Sequence, residues 1–396
     1  MRLLLLTDDY LPHQGGSRVY YHHLLESLDG AEAHVLTRHR AGDAELDRTF
    51  PYRVWRCDLE EEPRLRPLRL QFLPVYLSLL WHGWRVARQV RPDLLVAGEL
   101  VPTGPVAVLL GWLLRCPLVV FTHAEGPSTL ARTRYQSRLA RWVCRRAQWV
   151  IAASENARQG LRDLLGVPDW KIQILLPAVG EEHFDERYRA TPFPETPDAA
   201  PAPVRPIRLL SVGRLIQRKN HAGLLRALPE VLRQVPLLTC TIAGEGPEQE
   251  NLLRLRAELR LEAVVEFIGP VSGEALLERY AQSDCFVLAN IDDPETGDTE
   301  GFGIVFAEAS AHGLPVIGGN AGGTAESILE GRTGLRVNGR DPEALATALV
   351  QVLTNPNRAR SLGQTGRDHA RQHFRWSHRA QAFRERLQTV VEEYRG

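Results

Sequence analysis

Residues 208–220 read Arg-Leu-Leu-Ser-Val-Gly-Arg-Leu-Ile-Gln-Arg-Lys-Asn, a short apolar run followed by a basic loop that contains a glycine. The run Arg208–Val212 has the length of a strand that is buried on both faces. Runs of the same kind recur along the chain, separated by helical patterns of roughly 10–20 residues. Strands of this type joined by helices are typical of parallel sheets, so the sequence predicts an α/β fold.

The apolar runs fall into two series, one in each half of the chain. The first series is Leu3–Thr7, Ala33–Thr37, Arg53–Cys57, Leu94–Ala97, Leu118–Thr122, Trp149–Ala153 and Gln173–Leu176. The second is Arg208–Val212, Thr239–Ala243, Val264–Ile268, Cys285–Ala289, Pro315–Gly318 and Gly334–Val337. Two series predict two doubly wound, Rossmann-like domains, in which ligands bind beyond the carboxyl ends of the strands.

A proline-rich segment separates the two series. Residues 191–206 contain six prolines, a density that neither a helix nor a central strand tolerates, so we expect an extended linker. The predicted organisation is an N-terminal domain over 1–190, the linker over 191–206, and a C-terminal domain over 207–375. Residues 376–396 read as a charged helix that would pack across the domains.

Composition excludes several classes of protein. The chain has 48 lysine and arginine residues and 48 aspartate and glutamate residues, so its net charge is zero. It therefore lacks the excess of basic residues that is typical of nucleic-acid-binding proteins. The five cysteines include no C-x-x-C pair, which argues against a disulfide framework or a zinc site and fits a reducing cytoplasm. The apolar stretch Leu100–Phe121 is interrupted by Pro105, Arg115 and Pro117, so it predicts a buried helix followed by a core strand rather than a membrane span.

The segment Glu300-Gly-Phe-Gly-Ile-Val-Phe-Ala-Glu308 places one carboxylate before a predicted helix and a second inside it. A carboxylate only accepts hydrogen bonds, which suits the vicinal hydroxyls of a sugar or a ribose. The glycines around Phe302 allow the backbone to approach a ligand closely. The alternative is a solvated Glu308 and a Glu300 that merely lies near a helix start.

The loop after the first strand of the second series carries Gly213, Arg214 and Lys219. A diphosphate leaving group requires such cations, because arginine offers a planar fork of donors and lysine a compact charge. A solvated basic loop is the alternative interpretation.

Further candidates lie at other predicted strand ends. They are Gly15-Gly16 before a helix beginning near Ser17, His123 after a core strand, Gly244-Glu-Gly-Pro247, and Gly322-Gly323-Thr-Ala-Glu326. A glycine pair before a helix forms an anion site from free N–H groups and the helix dipole, although each of these motifs also occurs as a plain turn. All would converge on one cleft between the domains, which favours a common site.

Together, the Glu300–Glu308 block, Gly213-Arg214 with Lys219, Gly244 to Pro247 and Gly322 to Glu326 resemble the family 4 retaining glycosyltransferases. The resemblance covers nearly the whole chain. It implies a GT-B fold in which the first domain binds the acceptor and the second binds a nucleotide-sugar donor. No cofactor is implied beyond that donor.

The resemblance also implies roles for individual residues. Arg214 and Lys219 would bind the donor diphosphate, Glu308 the ribose, and Glu300 and His123 the transferred sugar. Gly16 would lie against the diphosphate and the sugar, and the Phe302-Gly303 backbone would help to bind sugar and phosphate. Val265–Phe267 would contact the base, and Gly15, Gly213 and Glu326 would also belong to the donor site. Fixed cations can take the place of a divalent metal, so we expect no metal ion. Retention would proceed by same-face attack without a general base.

Residues 298–305 are most similar to members that act on phosphatidylinositol mannosides with GDP-mannose. The expected reaction is transfer of a mannose- or glucose-type hexose to a glycan or to a polyprenyl- or phospholipid-linked acceptor. Residues 64–88 have the pattern of a basic amphipathic helix that could contact the anionic inner face of the plasma membrane, or of an ordinary covering helix.

Three other functions share part of this pattern. A sugar-nucleotide 2-epimerase and a catalytically inactive sugar-nucleotide-binding protein remain as alternatives. A phosphorylase with lysine-bound pyridoxal phosphate is disfavoured, because Lys219 is the only lysine of the predicted second domain.

Overall fold

The computed structural model describes residues 1–12, 16–58, 73–123, 133–190, 193, 205–293 and 299–396. The chain divides into two compact units, one formed by Met1–Pro177 with Trp376–Gly396 and the other by Ala178–Arg375.

Seven parallel strands form the sheet of the first unit. They are β1 (Arg2–Leu6), β2 (Glu32–Arg38), β3 (Arg53–Cys57), β4 (Leu94–Ala97), β5 (Leu118–Thr122), β6 (Trp149–Ala152) and β7 (Ile172–Ile174), in the order β3-β2-β1-β4-β5-β6-β7. The strand order reverses between β1 and β4, the position at which doubly wound sheets bind ligands.

Helices cover both faces of this sheet. They are α1 (Gly16–Glu26), α2 (Asp43–Leu46), α3 (Leu73–Val90), α4 (Thr103–Leu114), α5 (Arg134–Arg146), α6 (Glu155–Leu165) and, from the end of the chain, α14 (Trp376–Arg395). Leu4 and Leu6 of β1 join one core cluster with buried residues of α3 to α6. Because successive strand residues point to opposite faces, Leu3 and Leu5 are buried on the other side.

The C-terminal helix α14 belongs to the first unit. Its Trp376 ring lies 4.9 Å from the ring of Tyr20, and its Phe383 ring lies 5.9 Å from that of Phe121. The guanidinium of Arg379 donates to the carbonyl oxygen of Pro177 at 2.5 Å. These contacts assign the helix to the unit whose core it completes.

Six parallel strands form the sheet of the second unit. They are β8 (Ile207–Val212), β9 (Leu238–Ala243), β10 (Val265–Phe267), β11 (Cys285–Leu288), β12 (Val316–Gly319) and β13 (Gly334–Val337), in the order β10-β9-β8-β11-β12-β13. The helices are α7 (His221–Gln234), α8 (Gln249–Glu258), α9 (Gly273–Ala281), α10 (Ile304–Ala311), α11 (Thr324–Ser327), α12 (Pro342–Leu353) and α13 (Pro356–His373). The two sheets confirm the predicted fold class. Every predicted strand is present, and its ends differ from the predicted ones by at most two residues.

The second unit begins earlier than the sequence indicated. The amide of Val179 donates to the Phe374 carbonyl at 2.6 Å, and the amide of Ala190 donates to that of His312 at 2.9 Å. Residues 178–190 contain only two short 3-10 turns, Glu181–Phe184 and Glu186–Tyr188, whose sequence has no periodicity that would reveal this attachment. Most of the predicted linker lies outside the described residues, but Phe193 is buried in the core of the second unit.

Local signals account for several helix starts. The Ser154 hydroxyl accepts from the amide of Ala157 and caps α6, while the Asp341 carboxylate accepts from two amides at the start of α12. Pro342 occupies the first turn of α12, where a missing N–H costs nothing.

The stretch Leu100–Phe121 folds as the sequence predicted, into helix α4 followed by strand β5. Among the described helices, none combines the length and the apolar character needed to cross a bilayer. All five cysteines are buried as free thiols.

Candidate functional site

The basic loop of residues 213–220 leaves the carboxyl end of β8 and packs against the loop after β9. The amide of Leu215 donates to the Glu245 carbonyl at 2.8 Å. Gly244 has a φ of +143°, and a Cβ there would lie 2.0 Å from the carbonyl oxygen of Gly213. The glycine is therefore required for the two loops to approach each other.

Asn220 fixes the end of this loop. It adopts a left-handed conformation with φ of +53°, and its side-chain oxygen accepts from the amide of Gly223 to cap α7. Its side-chain amide donates to the carbonyls of Ala289 and Gly339 at 2.9 and 2.6 Å. Three bonds on one side chain hold the preceding residue, Lys219, in a fixed position.

Lys219 and Arg218 converge on the carboxylate of Glu300. The Lys219 ammonium donates to Glu300 Oε2 at 2.5 Å and the Arg218 guanidinium at 3.0 Å. Lys219 and Glu300 are both buried. Burial alone would raise the pKa of Glu300, but the charges of Lys219 and Arg218 outweigh it and hold that pKa below its ordinary value. An ionised glutamate beside two cations leaves a local excess of positive charge, which suits an anionic ligand.

The sequence pattern predicted Arg214 and Lys219 as the cationic pair. Arg214 lies exposed on the same loop, whereas Arg218 is the arginine that contacts Glu300. Arg218 was missed because three basic residues within six positions give no indication of which side chains turn inward. Only the 3-10 turn Gln217–Lys219 decides that.

The Gly322-Gly323 turn after β12 supports Glu300 from the other side. The amide of Gly323 donates to the Glu300 carbonyl at 2.8 Å. A Cβ on Gly322 would lie 2.2 Å from that carbonyl oxygen, and one on Gly323 would lie 2.0 Å from the carbonyl oxygen of Gly301. The carboxylate of Glu326 also lies beside Gly323, with Oε1 3.1 Å from the position of such a Cβ. The glycine pair thus holds the backbone of the Glu300 loop by close contact.

Helix α10 begins directly after Gly303, which has a φ of +74°. The Phe302 side chain is buried and packs edge-on against Phe374, with the ring centres 5.4 Å apart. Its ring is therefore part of the packing and is not available to contact a ligand. The first N–H groups of a helix lack intrahelical acceptors and favour an anion. The start of α10 therefore adds donors beside the Glu300 loop.

Glu308 lies within α10, where Tyr280 of α9 holds its carboxylate. The Tyr280 hydroxyl donates to Glu308 Oε2 at 2.8 Å, and its ring stacks on His312 at 4.9 Å. No sequence signal pointed to Tyr280, because α9 and α10 are brought together only by the packing of the second unit.

In the first unit, His123 follows β5 and contacts helix α1. Its Nε2 lies 2.8 Å from the hydroxyl of Tyr21. That hydroxyl donates its single hydrogen to the carbonyl of Gly98, so Nε2 of His123 must be the donor in the other bond. Burial lowers the pKa of His123 to about 4, which leaves a neutral imidazole at pH 7 with Nδ1 as its acceptor atom. Tyr21, which orients this ring, was not predicted.

Gly16 is the first residue of α1 and confirms the expected helix start near Ser17. A Cβ at Gly16 would meet no atom within 4 Å among the described residues. Space of this kind at a helix N-terminus is compatible with a ligand. The neighbouring candidate, Gly15, lies outside the described residues.

Comparisons with known proteins identify the family. Residues 14–183 match the family model Glycosyltransferase Family 4, and residues 193–369 match Glycosyl transferases group 1. The chain belongs to glycosyltransferase family 4. The glycosyltransferase is 30% identical to a GDP-mannose-dependent alpha-(1-6)-phosphatidylinositol monomannoside mannosyltransferase of Mycolicibacterium smegmatis, over 97% of this chain and 98% of that protein. It is 27% identical to a glycogen synthase of Mycobacterium tuberculosis, over 95% and 92% of the two chains.

Solved structures share the fold. Anabaena HepE in complex with UDP and glucose has a TM-score of 0.78 at 19% identity, covering 98% of this glycosyltransferase and all of HepE. Sucrose-phosphate synthase from Thermosynechococcus elongatus has a TM-score of 0.73 at 20% identity, with 99% and 100% coverage. These similarities confirm the GT-B fold. The protein is a hexosyltransferase that uses a nucleotide-sugar donor, and the relatives give no support to the epimerase alternative.

One group of side chains in the described part of the glycosyltransferase could hold a metal ion. His22, His23 and Glu26 of α1 bring their ligand atoms within 4.8 Å of one another. The group lies in the first unit, whereas Lys219 and Glu300 lie in the second.

Proposed function

We propose that this glycosyltransferase moves mannose from GDP-mannose to a phosphatidylinositol-mannoside type of lipid, with retention of configuration and without a metal ion. The mannoside mannosyltransferase relative, similar over nearly its full length, supports the donor and the acceptor. The observation that carries the chemistry is the cluster of Lys219, Arg218 and Glu300, in which Lys219 and Glu300 are buried.

The proposed reaction breaks the bond between the sugar C1 and the β-phosphate oxygen and forms a bond from C1 to an acceptor hydroxyl oxygen. The acceptor's proton passes to an oxygen of the departing diphosphate on the same face of the sugar. Negative charge grows on that diphosphate as the bond breaks, and cations that are already fixed stabilise it without reorganisation.

Lys219 is suited to this role by its position. Of its three N–H donors, the bond to Glu300 uses one. Because the pKa of Glu300 is held low, the carboxylate stays ionised near neutral pH and keeps the ammonium oriented. We propose that Lys219, with Arg214 on the same loop, binds the diphosphate, with the start of α10 adding N–H donors.

Further roles follow for the carboxylates and the imidazole. Glu300 and Gly16 would contact the transferred sugar, Glu308 the ribose, and Glu326 with Gly213 and Gly303 the remainder of the donor. The Glu308 carboxylate, which the Tyr280 hydroxyl orients, would accept from a ribose hydroxyl.

His123 is proposed to contact the transferred sugar through Nδ1. The neutral tautomer fixed by Tyr21 presents an acceptor there, and a sugar hydroxyl is a donor of the right kind.

The donor can be tested by thermal unfolding with GDP-mannose, UDP-glucose and ADP-glucose. A ligand that binds only the folded protein stabilises it by about 2.7 kcal/mol at one hundred times its Kd. We expect GDP-mannose to raise the Tm most. A larger effect of UDP-glucose or ADP-glucose, with transfer to a maltooligosaccharide, would replace the mannosyltransferase proposal by a glucan synthase.

Stereochemistry and acceptor are tested together by proton NMR of the product formed from GDP-mannose and a phosphatidylinositol mannoside. An α-linked product indicates retention. A β-linked product would contradict the same-face mechanism, and isomerised donor without any acceptor would indicate epimerisation.

A further inference from the structure

Helices α3, α4 and α5 form consecutive parts of one layer over the sheet of the first unit. A Cβ on Gly83 of α3 would lie 2.6 Å from Leu110 of α4, and a Cβ on Gly104 of α4 would lie 2.9 Å from Val143 of α5. Glycines at these points let the helix axes approach closely. The three helices therefore present one continuous outer surface, which we call the α3–α5 face.

Large apolar side chains are exposed on this face. Ten large hydrophobic side chains are exposed among the described residues, and six of them lie on these three helices: Leu77, Trp81, Leu109, Trp112, Leu113 and Tyr135. Trp112 has 74% of its surface exposed. Clustered exposure of this kind marks an interaction site, whereas single exposed apolar residues are ordinary.

The charges on the α3–α5 face are of one sign. Helix α3 contains two arginines and α5 contains five, and none of the three helices contains an aspartate or a glutamate. The whole chain has equal numbers of acidic and basic residues, so this segregation is local. The arrangement places the apolar helix α4 between two basic helices.

Aromatic and basic side chains are also ordered on α3. The rings of Trp81 and Trp84 stack at 5.5 Å, and the guanidinium of Arg88 lies 4.9 Å over the Trp84 ring. Tryptophan rings favour the boundary between headgroups and acyl chains, and arginine favours lipid phosphates. The combination is amphipathic in the manner of a surface that lies in a membrane interface.

We infer that the α3–α5 face docks the glycosyltransferase on the surface of an anionic phospholipid bilayer. Leucine and tryptophan side chains of α3 and α4 enter the interfacial region, and the arginines of α3 and α5 contact headgroup phosphates. Docking through this face does not depend on which nucleotide sugar is the donor. Of residues 64–88, for which the sequence predicted membrane contact, 64–72 lie outside the described residues and 73–88 belong to α3.

A vesicle flotation experiment tests this docking surface. The protein is mixed with phosphatidylcholine vesicles or with vesicles that also contain phosphatidylglycerol. Strong binding is expected only to the anionic vesicles, with a decrease as salt is raised.

Variants locate the surface. The double variant Trp81→Ser/Trp112→Ser should bind anionic vesicles at least about tenfold more weakly. The matched control is Trp170→Ser, because Trp170 is also 74% exposed but lies in a 3-10 turn, Asp169–Lys171, outside the three helices. Arg138→Glu on α5 should weaken binding by roughly fivefold or more, and Arg254→Glu on α8 should leave it unchanged.

Three results would overturn the inference. One is no preference for anionic vesicles, and another is equal binding by the double tryptophan variant and the Trp170 control. The third is a sedimentation result in which the wild type is a dimer and the double tryptophan variant is a monomer that still binds vesicles. That result would assign the face to contact with a second copy of the chain. Donor-induced Tm shifts of the variants should equal those of the wild type, so failure of docking is distinct from failure of the proposed reaction.

Discussion

The only lysines of the chain, Lys171 and Lys219, are both buried but differ in the group that they contact. Lys171 donates to the backbone carbonyl of Arg145 at 2.8 Å, while Lys219 donates to the carboxylate of Glu300. A lysine on a carbonyl completes local structure. A lysine on an ionised carboxylate beside Arg218 contributes to a charged site.

Replacing Lys219 with alanine is expected to reduce kcat/KM by about 10²–10³, because one fixed donor to the developing phosphate charge is lost. Lys171→Ala is the matched control and should retain nearly all activity. Lys219→Ala also removes the ammonium that pairs with the buried Glu300 carboxylate. The double variant Lys219→Ala/Glu300→Gln controls for this effect, because it removes the negative charge of residue 300 as well. Activity near that of the wild type in a folded Lys219→Ala variant, by NMR assay of product, would refute the assignment.

The half-buried Glu99, which follows β4, behaves differently from Glu300. Its carboxylate accepts from the hydroxyls of Thr7 and Thr103 at 2.7 and 2.9 Å. Burial raises the pKa of Glu99 to about 7, and the nearby Asp8 adds to that rise. The hydrogen bonds from Thr7 and Thr103 offset this rise in pKa only in part, whereas the charges of Lys219 and Arg218 outweigh burial at Glu300.

The raised pKa of Glu99 predicts a pH dependence of stability. Between the ordinary pKa near 4.5 and the folded value near 7, the folded protein binds a proton that the unfolded chain has lost. The free energy of unfolding therefore falls as pH rises through this range, by about 1–3 kcal/mol from this group. Glu99→Gln should remove that part of the decrease between pH 5 and pH 8 in urea unfolding. An unchanged pH profile would show that Glu99 ionises normally.

At the scale of elements, the entry into α10 depends on Gly303. Its φ of +74° disfavours side chains, and a Cβ there would lie 2.4 Å from the ring of Phe306. Gly303→Ala should destabilise the second unit by about 2–5 kcal/mol, the sum of backbone strain and overpacking. Gly331, with a φ of +69° and open space around it, provides the control: Gly331→Ala should cost only about 1–2 kcal/mol. Equal losses in urea unfolding would remove the packing argument.

The start of α1 predicts the opposite behaviour. Since a Cβ at Gly16 meets no described atom, Gly16→Ala should change the free energy of unfolding by less than about 1 kcal/mol. A ligand approaching the helix start would nevertheless meet the new methyl group, so we expect transfer to fall by about tenfold or more. Full activity with wild-type stability would show that no ligand approaches this residue.

For the molecule as a whole, we expect transfer to proceed without a divalent metal. Activity in EDTA should equal that in Mg²⁺, because Lys219 and Arg214 supply the charge that a metal would otherwise provide. If EDTA does abolish activity, His22→Ala tests whether the metal acts through the His22, His23 and Glu26 group of α1. If EDTA abolishes transfer but the His22→Ala variant remains active, the required metal acts at the reaction centre and not at this group.

The sequence by itself determined the two parallel sheets and the motifs at their strand ends. Thirteen short apolar runs separated by helical patterns allow few alternatives, since strands buried on both faces and joined by helices pair in parallel. The helix α4 and strand β5 in Leu100–Phe121 followed from Pro105 and Pro117 in the same way. The family was also determined, because several motifs together resemble one group of enzymes.

Tertiary structure alone decided which side chains meet. It brought Arg218 to Glu300, Tyr280 to Glu308 and Tyr21 to His123, pairs that are 82, 28 and 102 residues apart in the chain. It also placed residues 178–190 with the second unit and gathered the exposed side chains of α3 to α5 on one face. Hydrophobic periodicity records which face of an element is buried. It does not indicate which residue of another element a buried side chain contacts. The hydrophobic effect is non-directional, and contacts between residues that are distant in the chain are set by packing.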